Sequence, residues 1–375
     1  MKVCFITDSY PPNIGGAEIA IQKIAEGIYE RGIDVVVVTA DIKDNFEFKS
    51  KIPHGKIVRI WTPKFLQRFW FLLFSLPVIL LNGKDVDILH GTSYGGIIPA
   101  YLGSKLLRKP AVVTVHEFMG KNWKRFAGNR INGVFYQLVE KLFARLSFSM
   151  FITVSNYTKD CLIKAGINEN KVITIYNGES SEELRNTKSK SQSKLQLGFD
   201  NNDYVFAAYG RTGLTKGFEY LTKAIPLVFN RIENAKFLLI FTKGSAKVWK
   251  RIITDTESLD PNKVKFFNTL ERDKLFEFLN AADSIVIPSL SEGFGFTTLE
   301  AGMLGKNIIA SDAGSIPEVI HGNYILFEPS NSDAIVEACV SAVEGKFIWS
   351  EKKIFSWNSS VENYIKVYNS IVDAR

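Results

Sequence analysis

Ser284-Ile-Val-Ile-Pro-Ser-Leu-Ser-Glu-Gly-Phe-Gly-Phe-Thr-Thr-Leu-Glu300 passes from an apolar, β-branched strand through a serine- and glycine-rich loop into a helix starting near Thr297. A short run with no polar alternation reads as a strand buried on both faces, and a helix directly behind it marks a parallel sheet. The same unit recurs along the whole chain. Strands are expected at Val3 to Thr7, Val35 to Thr39, Val86 to Leu89, Ala111 to Val115, Phe151 to Val154 and Val172 to Ile175. A polar stretch rich in Ser and Lys, residues 179 to 203, reads as an interdomain segment. Strands then resume at Tyr204 to Tyr209, Phe237 to Phe241, Val264 to Phe267, Ser284 to Pro288, Asn307 to Ala310 and Tyr324 to Phe327. Two doubly wound, Rossmann-like α/β domains follow, roughly 1–180 and 200–356. Ligands of such sheets lie beyond the carboxyl ends of the strands, so the loops just after strands carry the functional weight.

Bulk properties narrow the class. A length of 375 residues and 46% hydrophobic composition suit two folded domains. Cys4, Cys161 and Cys339 are too far apart in sequence for a disulfide framework or a Cys-x-x-Cys zinc site, which fits a reducing, cytoplasmic setting. The first residues read as a buried strand running into Tyr10-Pro11-Pro12, not as a secretion signal. The 13-residue apolar run Phe69 to Leu81 contains Pro77 and is too short to span a bilayer, which needs about 20 residues. It is either a buried helix or an interfacial segment flanked by Lys64 and Arg68. The formal charge of +7 is uneven: residues 1 to 178 carry 23 Lys and Arg against 14 Asp and Glu, while the remainder is slightly acidic. That asymmetry is either simple solubility or an anionic partner for the first domain, such as a membrane surface, a phosphate-bearing lipid or nucleic acid.

Five sets of residues carry candidate chemistry. Gly15 and Gly16 open a helix after the first strand, where a ligand can approach backbone N–H groups or the chain simply turns tightly. They are not the Gly-x-Gly-x-x-Gly fingerprint, which disfavours an NAD-dependent dehydrogenase. In Gly210-Arg-Thr-Gly-Leu-Thr-Lys-Gly217, Arg211 and Lys216 flank a small loop suited to a diphosphate, unless they are two solvated surface cations. Glu292 lies in the loop of the opening stretch and Glu300 about a turn into its helix, with Gly293 and Gly295 letting backbone approach a sugar. Both carboxylates can accept hydroxyl hydrogen bonds, although Thr297-x-x-Glu300 also fits a helix capping box. His90 and His116 each read as lying just past a strand and are either structural or part of a site. Asp85-Val-Asp87 begins a strand away from these loops and is rejected as a metal ligand.

Taken together and in order, these elements resemble the retaining GT-B glycosyltransferases of the large Glu-x7-Glu family (glycosyl transferases group 1, family 4). The resemblance rests on Pro11-Pro-Asn-Ile-Gly-Gly-Ala-Glu18, Thr114-Val-His116, Val154-Ser-Asn-Tyr-Thr158, Tyr176-Asn-Gly178, Gly210-Arg211 and Lys216-Gly217. Glu292-Gly-Phe-Gly with Glu300, Ser311-Asp-Ala-Gly-Ser-Ile-Pro-Glu318, Phe355-Ser-Trp357 and Val367-Tyr368 complete it. It implies two domains facing a cleft, with a terminal helix, 357–375, returning to the first. Arg211 and Lys216 would then clamp the diphosphate of a nucleotide sugar, a UDP- or GDP-sugar, and Gly210 would sit beside them. Glu300 would hold the ribose; Glu292 and the backbone of Gly293, Phe294, Gly295, Phe296 and Thr297 would hold the sugar. His116 would contact the donor sugar near the reacting carbon, and Gly15 and Gly16 would approach the phosphate. No metal or other cofactor is implied, the leaving phosphate is thought to take the acceptor's proton, and no nucleic acid partner is expected. The acceptor would be a glycan, glycolipid or polyprenyl-linked hydroxyl. The chain departs from the family at Ser315, where a glycine is common, and at Asn307, where a proline is. The first departure is expected to narrow a loop near the sugar. A GT-B epimerase, a phosphorylase or a noncatalytic nucleotide-sugar sensor would share much of this pattern. The basic first domain, the apolar segment at 65 to 81 and Lys121-Asn-Trp-Lys-Arg-Phe-Ala-Gly-Asn-Arg130 further suggest peripheral docking on the cytoplasmic membrane face.

Overall fold

The computed structural model describes the chain apart from residues 13, 14, 42–49, 54, 55, 64, 66, 127–129, 180–187 and 375 and the side chains of Ser93, Arg125 and Arg130. Asn13 and Ile14 of the first glycine loop, Lys64, most of the polar segment after Glu179 and part of the 121–130 stretch therefore lie outside the described residues. The chain forms two compact units. One comprises Met1–Arg125, Asn129–Gly178 and Phe355–Arg375, the other Phe126–Gly128 and Glu179–Ile354.

The strands of the first unit are β1 (Lys2–Thr7), β2 (Asp34–Ala40), β3 (Ile57–Ile60), β4 (Ile88–Thr92), β5 (Ala111–Val115), β6 (Met150–Thr153) and β7 (Val172–Thr174). They pair in parallel in the order β3-β2-β1-β4-β5-β6-β7. Helices α1 (Gly16–Glu30), α2 (Gln67–Asn82), α3 (Ser93–Leu107), α4 (Trp123–Phe126), α5 (Arg130–Phe143) and α6 (Asn156–Lys164) connect them. Successive strand residues point to opposite faces. Val3, Phe5, Val35 and Val37 therefore pack with Ile21, Ile24 and Ile28 of α1 on one face. Cys4, Ile6, Val36 and Val38 pack with α2, α3, α5 and α6 on the other. Covering both faces is what makes these strands continuously apolar.

The second unit repeats the plan with β8 (Tyr204–Arg211), β9 (Ala235–Thr242), β10 (Val264–Phe267), β11 (Ser284–Ile287), β12 (Asn307–Ser311), β13 (Gly322–Phe327) and β14 (Ile348–Ser350). Its order is β10-β9-β8-β11-β12-β13-β14, and β14 alone among these pairs runs antiparallel. Its helices are α7 (Lys190–Gln196), α8 (Phe218–Arg231), α9 (Ala246–Glu257), α10 (Arg272–Leu279), α11 (Phe296–Met303), α12 (Ile316–Val319) and α13 (Ser332–Val343). A last helix, α14 (Trp357–Asp373), lays Val361, Tyr364, Val367 and Tyr368 into the first unit's core beside α1.

Three sequence expectations are corrected. The edge strands β3 and β14, absent from the expected set, are only four and three residues long, too short to announce themselves. The strand expected at Val86 to Leu89 runs instead from Ile88 to Thr92, so His90 lies inside it, and Asp87 just before it accepts the Lys2 backbone N–H at Oδ2 (2.7 Å). The linker reading of 179 to 203 fails from Ser189 onward. Ser189 and Gln192 form a capping box for α7, and Lys194, 4% exposed, pairs with Asp283 at 2.9 Å and donates to the Asp203 carbonyl at 2.6 Å. A polar sequence here covers a buried cation, so polarity misreads as solvent. Of the two readings of the apolar run, a wholly buried helix does not hold: Phe71, Ser75 and Ile79 of α2 face the core, while Phe69, Leu73, Phe74 and Leu81 face outward.

His90 links the terminal helix to the sheet. It is 1% exposed, with Nδ1 2.5 Å from the Tyr368 hydroxyl and Nε2 2.8 Å from Thr114 Oγ1, which in turn lies 2.9 Å from the Tyr364 hydroxyl. Burial, with a smaller effect from His116, pulls its pKa down to about 3. The neutral form is the folded form, so its contribution to stability is complete above about pH 6.5 and is lost as pH falls from there toward 3. Wild-type Tm should therefore drop across that window, and more shallowly in His90→Gln; parallel Tm–pH curves for the two proteins would refute the assignment.

Candidate active site

In the second sheet the direction of winding reverses between β8 and β11, the switch point where doubly wound folds bind ligands. The loops leaving those two strands are interlocked. Gly217, in the left-handed region at φ 65°, precedes α8, and a Cβ there would stand 2.0 Å from the Pro288 carbonyl oxygen just past β11. Leu290 N–H donates to the Thr215 carbonyl at 2.7 Å. A third loop joins from β12. Gly314, at φ 60°, lies so close that a Cβ would be 2.3 Å from the Glu292 carbonyl oxygen, and Ser315 donates to that oxygen through both N–H (3.1 Å) and Oγ (3.2 Å). Ser315 is fully buried, so this departure from the family pattern fastens the Glu292 loop instead of lining it.

On this frame sit two carboxylate clusters. Glu292, 8% exposed, accepts at Oε1 from Lys216 Nζ (2.6 Å) and Ser289 Oγ (2.7 Å). Glu300, 7% exposed, accepts at Oε1 from Arg272 Nη1 (2.9 Å) and at Oε2 from the Tyr209 hydroxyl (2.8 Å). Arg272 also reaches Glu179 at 3.3 Å and lies over the Phe276 ring. Burial, reinforced by the Glu300 charge, holds the Tyr209 hydroxyl far above its ordinary pKa, so it remains a donor. The capping-box reading of Glu300 is thereby overturned: the N-cap of α11 is Gly295 at φ 91°, Thr297 lies inside the helix, and the carboxylate is spoken for by Tyr209 and Arg272. Phe294 is buried edge-on against Phe296, while Gly293 and Gly295 are buried and Phe296 and Thr297 are half-buried at the helix start. Arg211 is exposed at the end of β8, next to the half-buried Gly210.

The first unit's residues sit at its own strand ends. His116, just past β5, has Nε2 3.0 Å from Thr92 Oγ1, and burial lowers its pKa to about 4, so the imidazole is neutral near pH 7. Gly15 is the N-cap of α1 and Gly16 its exposed first residue. A Cβ on Gly15 would stand 2.3 Å from Glu18 Oε2, so the small residue admits a carboxylate of its own helix. Asp8, past the end of β1, accepts from Arg68 Nε at 3.0 Å, while its buried Oδ1 has no hydrogen-bond partner among the described residues. Asp85 and Asp87 precede β4, with Asp87 engaged by the Lys2 backbone. Sequence reading missed Tyr209, Arg272, Ser289 and Asp8. For Tyr209 a signal existed, since a tyrosine facing a core needs a partner for its hydroxyl.

The chain matches the Glycosyltransferase Family 4 description over residues 14–182 and the Glycosyl transferases group 1 description over residues 189–355. It is a GT-B glycosyltransferase. Uncharacterized glycosyltransferase MJ1607 of Methanocaldococcus jannaschii is 28% identical over 355 residues, spanning 89% of this chain and 87% of that one. The GPI3 subunit of phosphatidylinositol N-acetylglucosaminyltransferase from Saccharomyces cerevisiae is 22% identical, spanning 99% and 83%. Among solved structures, Anabaena Alr3699/HepE in complex with UDP and glucose superposes with a TM-score of 0.73 at 20% identity, covering 100% of this chain and 98% of that one.

In this glycosyltransferase the interlocked loops set a stability test. Gly345 has φ 74° with open space around it, so Gly345→Ala should lose only the left-handed backbone strain, about 1–2 kcal/mol. Gly314→Ala adds a clash with the Glu292 backbone and should lose at least about 1 kcal/mol more, read by denaturant unfolding. Equal losses at both positions would mean that the Glu292 loop yields freely.

Proposed function

We propose that this glycosyltransferase moves a sugar from a nucleoside diphosphate donor to a hydroxyl of a glycan, glycolipid or polyprenyl-linked acceptor, with retention of anomeric configuration. The observation that carries this reading is the pair of cation-held carboxylates, Lys216–Glu292 and Arg272–Glu300, at the switch point of the second sheet. A nucleotide sugar presents a diphosphate between two hydroxyl-bearing rings. Cations answer the diphosphate, and oriented carboxylates answer the hydroxyls. Arg211 and Lys216 would take the diphosphate, Glu300 the ribose, and Glu292 with the 293–296 backbone the sugar. Lys216 would then share its ammonium between Glu292 and a phosphate oxygen, coupling sugar and diphosphate recognition through one residue. Relatives support the donor class: HepE was solved with UDP and glucose.

Neutral His116 would meet the sugar as a hydrogen-bonding partner and Gly16 the phosphate. With no protein nucleophile assigned, the leaving phosphate oxygen accepts the acceptor hydroxyl's proton on the face where the new bond forms. Rate enhancement would come from positioning and from stabilising the departing diphosphate. The reaction is proposed to proceed without a metal. The acceptor is proposed to lie at the cytoplasmic face of a membrane with an anionic surface, toward which the basic first unit would be drawn. Among the described residues no helix is long and apolar enough to cross a bilayer.

Turnover should survive EDTA, and Arg211→Ala or Lys216→Ala should abolish transfer while leaving the fold intact by circular dichroism. Unaffected rates in the double variant would remove the clamp assignment. Glu292→Gln should lower kcat more than Glu300→Gln, whereas Glu300→Gln and Tyr209→Phe should chiefly raise the donor KM. Proton NMR of the product decides the stereochemistry, and an inverted anomer would overturn the retaining mechanism.

A further inference from the structure

Helix α5 buries only part of its apolar surface. The side it turns to the fold carries Gly133, Val139, Glu140 and Phe143. A Cβ on Gly133 would stand 2.6 Å from Lys124 Cα, so the helix backbone rests directly on the preceding segment. Glu140, 1% exposed, accepts from the Tyr94 hydroxyl (2.7 Å), Met119 N–H (2.9 Å) and Gly120 N–H (2.6 Å). Meanwhile Ile131 (82% exposed), Phe135 (60%), Leu138 (58%) and Leu142 (52%) form a stripe at helical spacing facing away from the protein.

The neighbouring helices of the same layer do likewise. On α2, Phe69, Leu73, Pro77 and Leu81 recur every fourth residue and are all exposed. On α3, exposed Leu102 and Leu106 continue the pattern. All three helices cover one face of the first sheet, α2 packs on α3, and Tyr94 at the start of α3 meets Phe143 at the end of α5. Apolar stripes on several members of one helix layer make a surface broader than a soluble monomer exposes without a use for it.

We propose that the outer face of the α2–α3–α5 layer seats the first unit on an anionic lipid bilayer. Charge selects this occupant. Residues 67–149 hold eleven Lys and Arg against four Asp and Glu, a surplus equal to the +7 of the entire chain. Neither α2 nor α3 contains an acidic residue, and the one in α5 is the buried Glu140. Lys105, Lys121, Lys124, Lys141 and Arg145 are exposed around the stripes. A second copy of the chain would bring these cations against one another, whereas anionic headgroups would meet them while the stripes enter the interface. The inference deepens the membrane reading above and is independent of the transfer reaction, because binding is read without turnover.

Cosedimentation with vesicles of phosphatidylcholine alone and of phosphatidylcholine mixed with phosphatidylglycerol tests it. Wild type should sediment with the mixed vesicles at low salt and much less with the neutral ones. Phe135→Ser combined with Leu138→Ser should weaken partitioning at least about tenfold, and Lys121→Glu combined with Lys124→Glu should do the same with a reduced salt dependence. Both variants alter exposed side chains, so their Tm and their donor binding should match wild type, separating lost docking from lost folding or lost donor recognition. Wild type that stays in solution with anionic vesicles would overturn the proposal, as would a stripe variant that sediments like wild type. A protein-concentration-dependent dimer in analytical ultracentrifugation, abolished by the stripe substitutions, would reassign the face to a second copy.

Discussion

The contact between the backbones of Gly314 and Glu292 governs the second unit's strand-end surface. With room for no Cβ between them, the loop after β12 presses on the loop after β11, which is tied through Pro288 and Leu290 to the loop after β8. Lys216 and Glu292 are thus brought together by main chain before their side chains interact. That order matters energetically. An ion pair between mobile side chains contributes little, because ordering them offsets the attraction. One mounted on locked backbone avoids most of that loss, and Ser289 supplies a further donor to the same carboxylate oxygen.

Glu300 and Glu140 show two ways of burying a carboxylate, and the difference separates chemistry from architecture. Glu140 is held by a tyrosine hydroxyl and two backbone N–H groups, all neutral, and burial raises its pKa despite them. Such a group suits a structural post. Glu300 has a hydroxyl on one oxygen and a guanidinium on the other, so its orientation is fixed from two sides by residues on β8 and α10. Removing either partner would leave a buried charge partly unanswered. A carboxylate held this way, one turn into α11, keeps a fixed direction and stays desolvated.

What the sequence disclosed and withheld follows from distance along the chain. The main strands were legible because a strand covered on both faces has no polar alternation, and Arg211, Lys216, Glu292 and Glu300 drew notice because they sit at a strand end or in the loop and helix that follow one. Arg272 was not, since its contact with Glu300 has no local signature, and for Tyr209 the sequence signalled only that its hydroxyl needs a partner, not that the partner is Glu300, 91 residues away. The tie between His90 and Tyr368 spans 278 residues and has no local signature. The polar 179–203 stretch misled from Ser189 onward because Lys194 is buried with its own counter-charge. In α5 the apolar spacing is plain, but periodicity cannot say which side of a helix meets the fold; Gly133 and Glu140 decide it.

The two units share a winding order yet differ in the chemistry at their switch points, between β1 and β4 and between β8 and β11. In the second, ion pairs cluster: Lys216 with Glu292, Arg272 with Glu300. In the first, Thr92 and neutral His116 stand at the strand ends with small residues close by, and Asp8 keeps one buried oxygen unpartnered among the described residues. The proposed reaction would have a use for that partition. A diphosphate requires fixed cations both when bound and when departing, but an acceptor hydroxyl needs hydrogen-bonding groups that do not themselves compete for the phosphate. Burial holds the His116 pKa near 4 and so keeps that strand end neutral, while the second unit carries its charge as ion pairs mounted on locked loops.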